Sequence, residues 1–249
     1  MNYLKKYLSN NQQFSSVYKN IFNQNPVLID HLAHRSFDKK NIYNSYLPYK
    51  HIFKLENDEF VFKTHNATAE WWSCKSDNYD NNYANTLNNF DKRIKGTPRI
   101  FISSYSGVFN DDTINNTNID LNQVQWHIEN PTKLITYNLY EKIYKNNQYL
   151  AWTLLHRENI NHIGILVDDI HAIADKVSKI LQLNNPKAPI QVSEDGDLFQ
   201  FSTKSIYLPY KFIEGTYLVP YYFLEFVERK NNREGFSQKN ANIVFNSTK

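Results

Sequence analysis

The sequence predicts an α+β fold built from two related modules, each with a βαβββ-like order of elements. In the second half of the chain, the pattern of apolar residues predicts a strand, a helix and then three strands between Ile160 and Arg229. A short repeat points to a second module, because DHLA at 30–33 and NHIG at 161–164 each place a histidine near the start of a predicted strand. In both segments the histidine follows a polar residue and precedes an apolar residue and then a small one.

The length of the chain bounds its domain organisation. A chain of 249 residues can bury a core large enough for one domain. We therefore expect residues 1–249 to form a single domain, with an approximate boundary between the two modules near residues 105–130. The stretch 105–120 is rich in Asn, Asp, Ser and Thr, which is typical of a long loop or a module boundary.

The first half of the chain alternates predicted helices and strands. Apolar residues at helical spacing predict an N-terminal helix that ends before Pro26, and aromatic and β-branched runs predict the strands. The second and third strands form a predicted hairpin with Asn57 and Asp58 in its turn. The expected elements are helices over 2–23, 37–47 and 83–95 and strands over 27–37, 51–55, 60–64 and 99–103.

The second half contains the more regular patterns. The stripe of Ile170, Ile173, Val177 and Ile180 predicts an amphipathic helix that packs on one face of a sheet. The expected elements are helices over 132–155, 169–183 and 234–248, strands over 160–167, 189–192, 198–203 and 221–229, and an extended loop over 204–219.

The composition excludes several classes of protein and site. A net charge of +3, without a basic run interleaved with aromatic residues, gives no indication of nucleic-acid binding. No apolar segment approaches the length of a membrane span, and the first residues lack the apolar core of a signal peptide, so we expect a cytoplasmic protein. Cys74 is the only cysteine, which excludes an intramolecular disulfide and a zinc site with several thiolates.

A carboxylate interrupts the apolar strand near the C-terminus. Glu225 lies between Leu224 and Phe226, and Glu228 points to the opposite face of the strand. A buried carboxylate is costly unless a charge or a metal compensates it. We expect Glu225 to point into a site, and the alternative is a carboxylate that faces solvent on an edge strand.

Two candidate residues share one face of the first strand. His31 and Arg35 are four residues apart with the small Ala33 between them, whereas Asp30 and His34 are expected on the other face. A histidine can hold a metal, and an arginine can bind a carboxylate through two parallel hydrogen bonds. The alternative is a histidine hydrogen-bonded to the backbone and an arginine paired with a neighbouring acid.

Together these residues form a possible metal-ligand set. His31 and His162 occupy equivalent places in the repeat, and Glu225 adds one carboxylate. Two imidazoles and one carboxylate on one face of an octahedral ion suit non-haem Fe(II), and they leave three positions for a bidentate substrate and O₂. The residues are far apart in sequence, so a contiguous HExxH helix is excluded.

Several segments in order along the chain resemble the DUF1338 family, which contains the 2-oxoadipate dioxygenase/decarboxylases. The similarity runs from about Val27 to Thr248, and the run FLEFVER followed by REGF is its most specific part. The family is related to the vicinal-oxygen-chelate fold and is similar to 4-hydroxyphenylpyruvate dioxygenase. The segments that carry the resemblance are DHLAHRSF, ATAEWW, PRIFIS, INHIGI, LFQFST, FLEFVER, REGF and NANIVFNST.

The resemblance implies a fold, a cofactor and a reaction. It implies a curved mixed sheet around Fe(II), with His31, His162 and Glu225 as ligands and Arg35 binding a substrate carboxylate. The implied reaction converts a 2-oxo acid such as 2-oxoadipate, with O₂, to CO₂ and a 2-hydroxy acid, which is 2-hydroxyglutarate in that case. The partners implied are these small molecules alone, with no nucleic acid and no membrane.

Two questions stay open at the level of sequence. Gln200 and Ser202 lie on one face of a predicted strand, where they either orient the substrate or form ordinary cross-strand hydrogen bonds. The alternatives for function are a metal-dependent isomerase or lyase of the same fold, which needs no O₂, and a ligand-binding module without catalysis. The oligomeric state is not predicted.

Overall fold

The computed structural model describes the central part of the chain and most of its C-terminal half. The described residues are 28–36, 59–63, 68–72, 99–104, 119–182 and 190–231, with the single positions 233, 237, 239, 240 and 243. The helices predicted over 2–23, 37–47 and 83–95 and the strand predicted over 51–55 lie outside them, as do most of the loop 105–120 and most of the tail 234–248.

Within the described residues, nine strands form one mixed sheet. The strands are β1 (Leu28–Ser36), β2 (Glu59–Lys63), β3 (Thr68–Trp72), β4 (Arg99–Ser104), β5 (Asn159–Leu166), β6 (Ser193–Asp195), β7 (Leu198–Ser202), β8 (Ile206–Lys211) and β9 (Thr216–Arg229). Their order in the sheet is β2-β3-β4-β1-β5-β9-β7-β6, and β8 pairs with β9 outside this order. The prediction of a mixed sheet with helices is therefore confirmed.

The order of strands is the same on both sides of the centre. β1 and β5 form an antiparallel pair, and each has a parallel outer neighbour, β4 beside β1 and β9 beside β5. Beyond these, β3 and then β2 follow on one side, and β7 and then β6 follow on the other, all antiparallel. The two segments that carry the histidine repeat are thus neighbours at the centre of the sheet.

Four helices lie in the described residues, namely α1 (Leu121–Glu129), α2 (Tyr137–Asn146), α3 (Gln148–His156) and α4 (Ile170–Gln182). The helical region predicted over 132–155 is present, and it is divided into two separate helices, α2 and α3, by an inner boundary that the sequence left open. Asn147 adopts an extended backbone between them, and its side chain accepts a hydrogen bond from the backbone N–H of Leu150 at 2.9 Å. An Asn side chain in this position caps a new helix and so favours the break.

Two further predictions need correction. The extended loop predicted over 204–219 is a hairpin, in which β8 pairs with the first half of β9. Gly215 allows the tight turn, since its φ of +150° is accessible mainly to glycine. The strand predicted over 189–192 is displaced along the chain, since β6 begins at Ser193. β2 pairs with β3, and the predicted hairpin partner of β2, residues 51–55, lies outside the described residues.

The two faces of the central strands have different roles. On β5 and β9, Ile165, Leu224 and Phe226 are buried against α4 through Ile170 and Val177. Because side chains alternate along a strand, Gly164 and Glu225 point to the opposite face. A second apolar cluster, which includes Leu150 of α3 and Phe212, packs α1 to α3 against the β8–β9 hairpin.

Among the described residues, none of the helices combines the length and the apolar character needed to cross a lipid bilayer.

Candidate metal centre

Three side chains from three adjacent central strands meet on one face of the sheet. His31 of β1, His162 of β5 and Glu225 of β9 each offer one ligand atom, and these atoms all lie within 4.8 Å of one another. All three residues are buried, with exposed fractions of 1%, 6% and 4%. We call His31, His162 and Glu225 the triad. The convergence that the sequence predicts is present in the structure.

A glycine makes room for this convergence. Gly164 of β5 pairs with His31 on one side and with Glu225 on the other, so a whole strand separates those two residues. Their side chains reach each other across it because Gly164 has none, and a Cβ added there would overlap the imidazole ring of His31. The reciprocal position is also small, since Ala33 of β1 pairs with His162.

A bulge precedes each histidine in the β1–β5 pair. The register steps from Ile29 to His31 on β1, so Asp30 is the extra residue of the first bulge, and a second irregularity makes Asn161 the extra residue on β5. A bulge interrupts the alternation of side chains along the strand and changes the direction in which the side chain of its extra residue points. The prediction that Asp30 lies on the face away from His31 is wrong, because its carboxylate contacts the ring of His31.

Each bulged residue contacts the ring of the histidine that follows it. Nδ1 of His31 lies 2.9 Å from Oδ2 of Asp30, and Nδ1 of His162 lies 3.1 Å from Oδ1 of Asn161. Both oxygens can only accept, so Nδ1 carries the proton in each ring. The amide nitrogen of Asn161 is 3.5 Å from the carbonyl of Tyr221, which fixes this orientation of the amide. The Nε2 lone pairs are therefore left for the centre of the triad.

The support of His31 extends to the end of β9. The guanidinium of Arg229 donates two hydrogen bonds to the carboxylate of Asp30, from Nε to Oδ1 at 2.7 Å and from Nη2 to Oδ2 at 2.9 Å. Asp30 is buried, and a buried carboxylate needs such a partner. A chain of three side chains thus runs from Arg229 through Asp30 to His31.

The two oxygens of Glu225 have different partners. Oε1 accepts a hydrogen bond from the amide nitrogen of Gln200. Oε2 lies 3.2 Å from Nε2 of His162 and 3.8 Å from Nε2 of His31. Burial alone raises the pKa of Glu225, but the neighbouring imidazoles of His162 and His31 outweigh this effect, so the pKa is lowered and the group is ionised at neutral pH.

The charge state of the triad fits a divalent cation. Burial lowers the pKa of His162 to about 4, against the opposing effect of Glu225, so its ring is neutral at pH 7. With Nδ1 of each histidine protonated, two nitrogen lone pairs and one carboxylate oxygen face a common point. Such a set of acceptors repels itself unless a cation lies between them, and imidazole and carboxylate are metal ligands. The triad is therefore a possible metal site.

Arg35 is buried beside the triad among aromatic rings. Its guanidinium carbon lies 4.7 Å from the ring centre of Tyr149 and 5.1 Å from that of Trp152, both on α3. Burial lowers the pKa of Arg35 to about 10, and the nearby Tyr149 and Tyr144 oppose this shift. The group thus keeps its charge at neutral pH, and that charge helps to lower the pKa of His162.

Gln200 and Ser202 lie on β7, next to the strand of Glu225. Ser202 pairs with Glu225 and is buried, and the contact of Gln200 is with Glu225 itself. Oε1 of Gln200 is buried and has no hydrogen-bond partner among the described residues. The structure therefore brings both residues to the triad, and the hydrogen bond from Gln200 to the carboxylate is of the cross-strand kind that the sequence left open.

Sequence reasoning missed four residues of the site: Asp30, Asn161, Gly164 and Arg229. The signal for the first three was in the repeat, where a polar residue precedes each histidine and a small residue follows two positions later. Antiparallel pairing of the two segments places each small residue opposite the histidine of the other. Arg229 is the last residue of the run FLEFVER, but that run gave no indication of its partner, which is 199 residues away in sequence.

Comparisons with known proteins identify relatives of the chain. The model of the family described as 2-oxoadipate dioxygenase/decarboxylase matches residues 104–232, just over half of the chain. This region contains His162 and Glu225, whereas His31 and Arg35 precede it. The chloroplastic 2-oxoadipate dioxygenase/decarboxylase of Arabidopsis thaliana is 29% identical over 134 residues, which are 44% of this chain and 36% of the relative.

A rice relative gives a similar result. The chloroplastic/amyloplastic 2-oxoadipate dioxygenase/decarboxylase of Oryza sativa subsp. japonica is 30% identical over 138 residues, 45% of this chain and 38% of the relative. The match thus spans little more than a third of the length of both curated relatives. Both are named as plastid proteins, and this finding contradicts the cytoplasmic location expected from the sequence.

One solved structure supports the fold over nearly the whole chain. The crystal structure of the hydroxyglutarate synthase from Oryza sativa in complex with 2-oxoadipate has a TM-score of 0.64 to this protein. The likeness covers 99% of this chain and 89% of the rice chain, at 23% sequence identity. The similarity of fold therefore includes the described strands β1 to β4, most of which precede the region matched by the family model.

Proposed function

The chain belongs to the family of 2-oxoadipate dioxygenase/decarboxylases, and on this premise we propose that it is a non-haem Fe(II)-dependent dioxygenase and decarboxylase of a 2-oxo acid. For 2-oxoadipate, one O₂ is consumed, one CO₂ leaves, and 2-hydroxyglutarate is the other product. Both oxygen atoms of O₂ are then accounted for in the two products. The observation that carries the proposal is the buried triad with its Nδ1 protons committed elsewhere.

The ligand set supports Fe(II) as the metal. His31 and His162 would bind through Nε2 and Glu225 through Oε2, the atoms that face one another. Two histidines and one carboxylate, without a thiolate, suit Fe(II) that keeps open positions. The bound ion would supply Lewis acidity, a template for the 2-oxo acid and the redox chemistry with O₂.

The residues around the triad would bind and orient the substrate. Arg35 would bind a substrate carboxylate, since its planar guanidinium can donate two parallel hydrogen bonds and is stacked on Tyr149 and Trp152. Ser202 and Gln200 would line the same site next to Glu225. Gln200 would also hold Oε1 of Glu225 and so leave Oε2 for the metal.

We propose that the fold consists of two vicinal-oxygen-chelate-like modules in one domain over residues 1–249. The support is the equivalent order of strands on both sides of the central β1–β5 pair. The boundary would lie near residues 105–130, after the last strand of the first half and before β5. In this arrangement the triad takes one ligand from the first module and two from the second.

The decisive experiment is gas exchange by the Fe(II)-loaded protein. Oxygen uptake and CO₂ release would be measured with 2-oxo acids of increasing length, and Glu225→Ala would serve as the control. We expect equal molar amounts of O₂ consumed and CO₂ released, with both lost in Glu225→Ala.

Two other results would contradict the proposal. Conversion of a 2-oxo acid without oxygen uptake would favour the isomerase or lyase alternative. A chain that retains no divalent metal after loading would favour a ligand-binding module.

A further inference from the structure

We infer that the two bulges are the device that orients the metal ligands, and that Asp30, with Arg229 behind it, and Asn161 are the positioning residues of His31 and His162. This inference rests on the proposed metal-binding function. It goes beyond that function because none of these three side chains belongs to the triad.

Both bulges occupy equivalent positions relative to the histidines. Each extra residue stands immediately before a histidine, on β1 at Asp30 and on β5 at Asn161. In a regular strand, neighbouring side chains point to opposite faces, and neither residue would reach its histidine. The bulge turns both members of each pair to the same side, where Asp30, Asn161 and both histidines are buried.

The bulged residues fix the orientation of both imidazole rings. A hydrogen bond to Nδ1 fixes the tautomer and the rotation of an imidazole, and so it directs the Nε2 lone pair. Asp30 and Asn161 supply this acceptor at 2.9 Å and 3.1 Å. The perpendicular rings of His31 and His162, at an angle of 89°, then point two lone pairs at the same space from different directions.

The acceptors on the two histidines differ in charge. Asp30 is a carboxylate, and the two hydrogen bonds from Arg229 hold its oxygens in place. Asn161 is neutral, and its amide nitrogen contacts only a backbone carbonyl among the contacts described for it. A carboxylate on Nδ1 makes an imidazole a stronger donor than an amide does. His31 is therefore the more strongly donating of the two nitrogen ligands.

The experiment is a titration of the metal-free protein with Co²⁺, followed by the absorption of the bound ion. We expect Asp30→Asn to weaken Co²⁺ binding by about 10- to 100-fold and to shift the ligand-field bands. Glu228→Gln is the matched control. Glu228 of β9 is a buried carboxylate like Asp30, but it accepts its hydrogen bond from the backbone N–H of Ile170 on α4. We expect its Co²⁺ affinity and spectrum to match those of the wild type.

A double-mutant cycle tests the role of Arg229. Arg229→Gln should change the Co²⁺ affinity in the wild-type background but by less than about twofold in the Asp30→Asn background, because Arg229 contacts His31 through Asp30. Equal effects in both backgrounds would overturn the proposed chain of contacts.

Asn161→Ala gives a second test that leaves the Arg229–Asp30 ion pair intact. It should weaken Co²⁺ binding by a smaller factor than Asp30→Asn, because a neutral acceptor is lost. The inference would be overturned, and the proposed function would stand, if the wild type binds Co²⁺ tightly and both Asn161→Ala and folded Asp30→Asn keep its affinity and spectrum. A wild-type protein that binds no Co²⁺ would overturn the proposed function as well.

Discussion

The imidazole ring of His31 lies against the backbone of Gly164, the residue that pairs with it on the neighbouring strand. This contact is so close that a methyl group on Gly164 would occupy the position of the ring. A glycine inside a strand often marks such a close approach. Here it sets the distance at which His31 and Glu225 can share one ion.

Substitution of Gly164 tests this relationship. We expect Gly164→Ala to displace the ring of His31, to lower the free energy of unfolding by about 1–3 kcal/mol and to reduce metal content after loading with Fe(II). The measurements are urea unfolding and metal analysis of the loaded protein. Gly196→Ala is the control, because Gly196 has a φ of +57° and open space around it. That variant should lose about 1–2 kcal/mol of stability but keep its metal.

Neutralising the carboxylate of the triad should separate metal binding from folding. In Glu225→Gln, an amide N–H can donate to Nε2 of His162, which removes the repulsion among acceptors in the metal-free protein. We expect its metal-free stability to equal or exceed that of the wild type by up to about 1 kcal/mol. Metal at 100 times the wild-type Kd should stabilise the wild type by about 2.7 kcal/mol and the variant by much less. Equal stabilisation of the two by metal in thermal unfolding would contradict the role of Glu225.

Substitution of Arg35 should weaken substrate binding and leave metal binding unchanged. Lysine keeps the charge but loses the planar pair of donors that a carboxylate accepts. We expect Arg35→Lys to raise the KM for a 2-oxo acid about 10- to 100-fold, the range of a charged hydrogen bond of about 1.5–3 kcal/mol. Steady-state kinetics at constant Fe(II) content measure this. An unchanged KM would show that another group binds the carboxylate.

Acid should destabilise the protein in part through His156 of α3. Burial lowers the pKa of His156 to about 4, and the carbonyl of Pro220, which accepts from Nε2 at 3.1 Å, only partly opposes this shift. A histidine in the unfolded chain has its usual pKa of about 6.5. Between pH 6.5 and pH 4, the unfolded state therefore binds more protons than the folded state. Stability therefore falls as the pH decreases through this window, by at most about 1.4 kcal/mol per pH unit from this group.

The variant His156→Gln isolates that contribution. Urea unfolding of the metal-free protein at several values between pH 6.5 and 4 should give a shallower loss of stability in the variant than in the wild type. Parallel curves for the two proteins would assign the acid sensitivity to other groups.

Much of the site was predictable because it depends on local patterns. The apolar alternation around His31, His162 and Glu225 identifies strands that carry candidate metal ligands, and the structure has strands at all three places. Arg35 was predicted on the face of His31, and both side chains are buried. Within the helical region predicted over 132–155, the inner boundary was not predictable, because the capping by Asn147 competes with the continuous apolar pattern.

The sequence by itself determined which residues are available: two histidines in a repeated segment, one carboxylate in an apolar strand, and an arginine four positions after the first histidine. The tertiary structure decided how these residues are held. The bulges at Asp30 and Asn161 are properties of the β1–β5 pair and not of either strand alone. The ion pair of Asp30 with Arg229 joins positions 199 residues apart. Local propensities cannot predict such contacts, because the register and pairing of the strands depend on the free energy of the whole sheet.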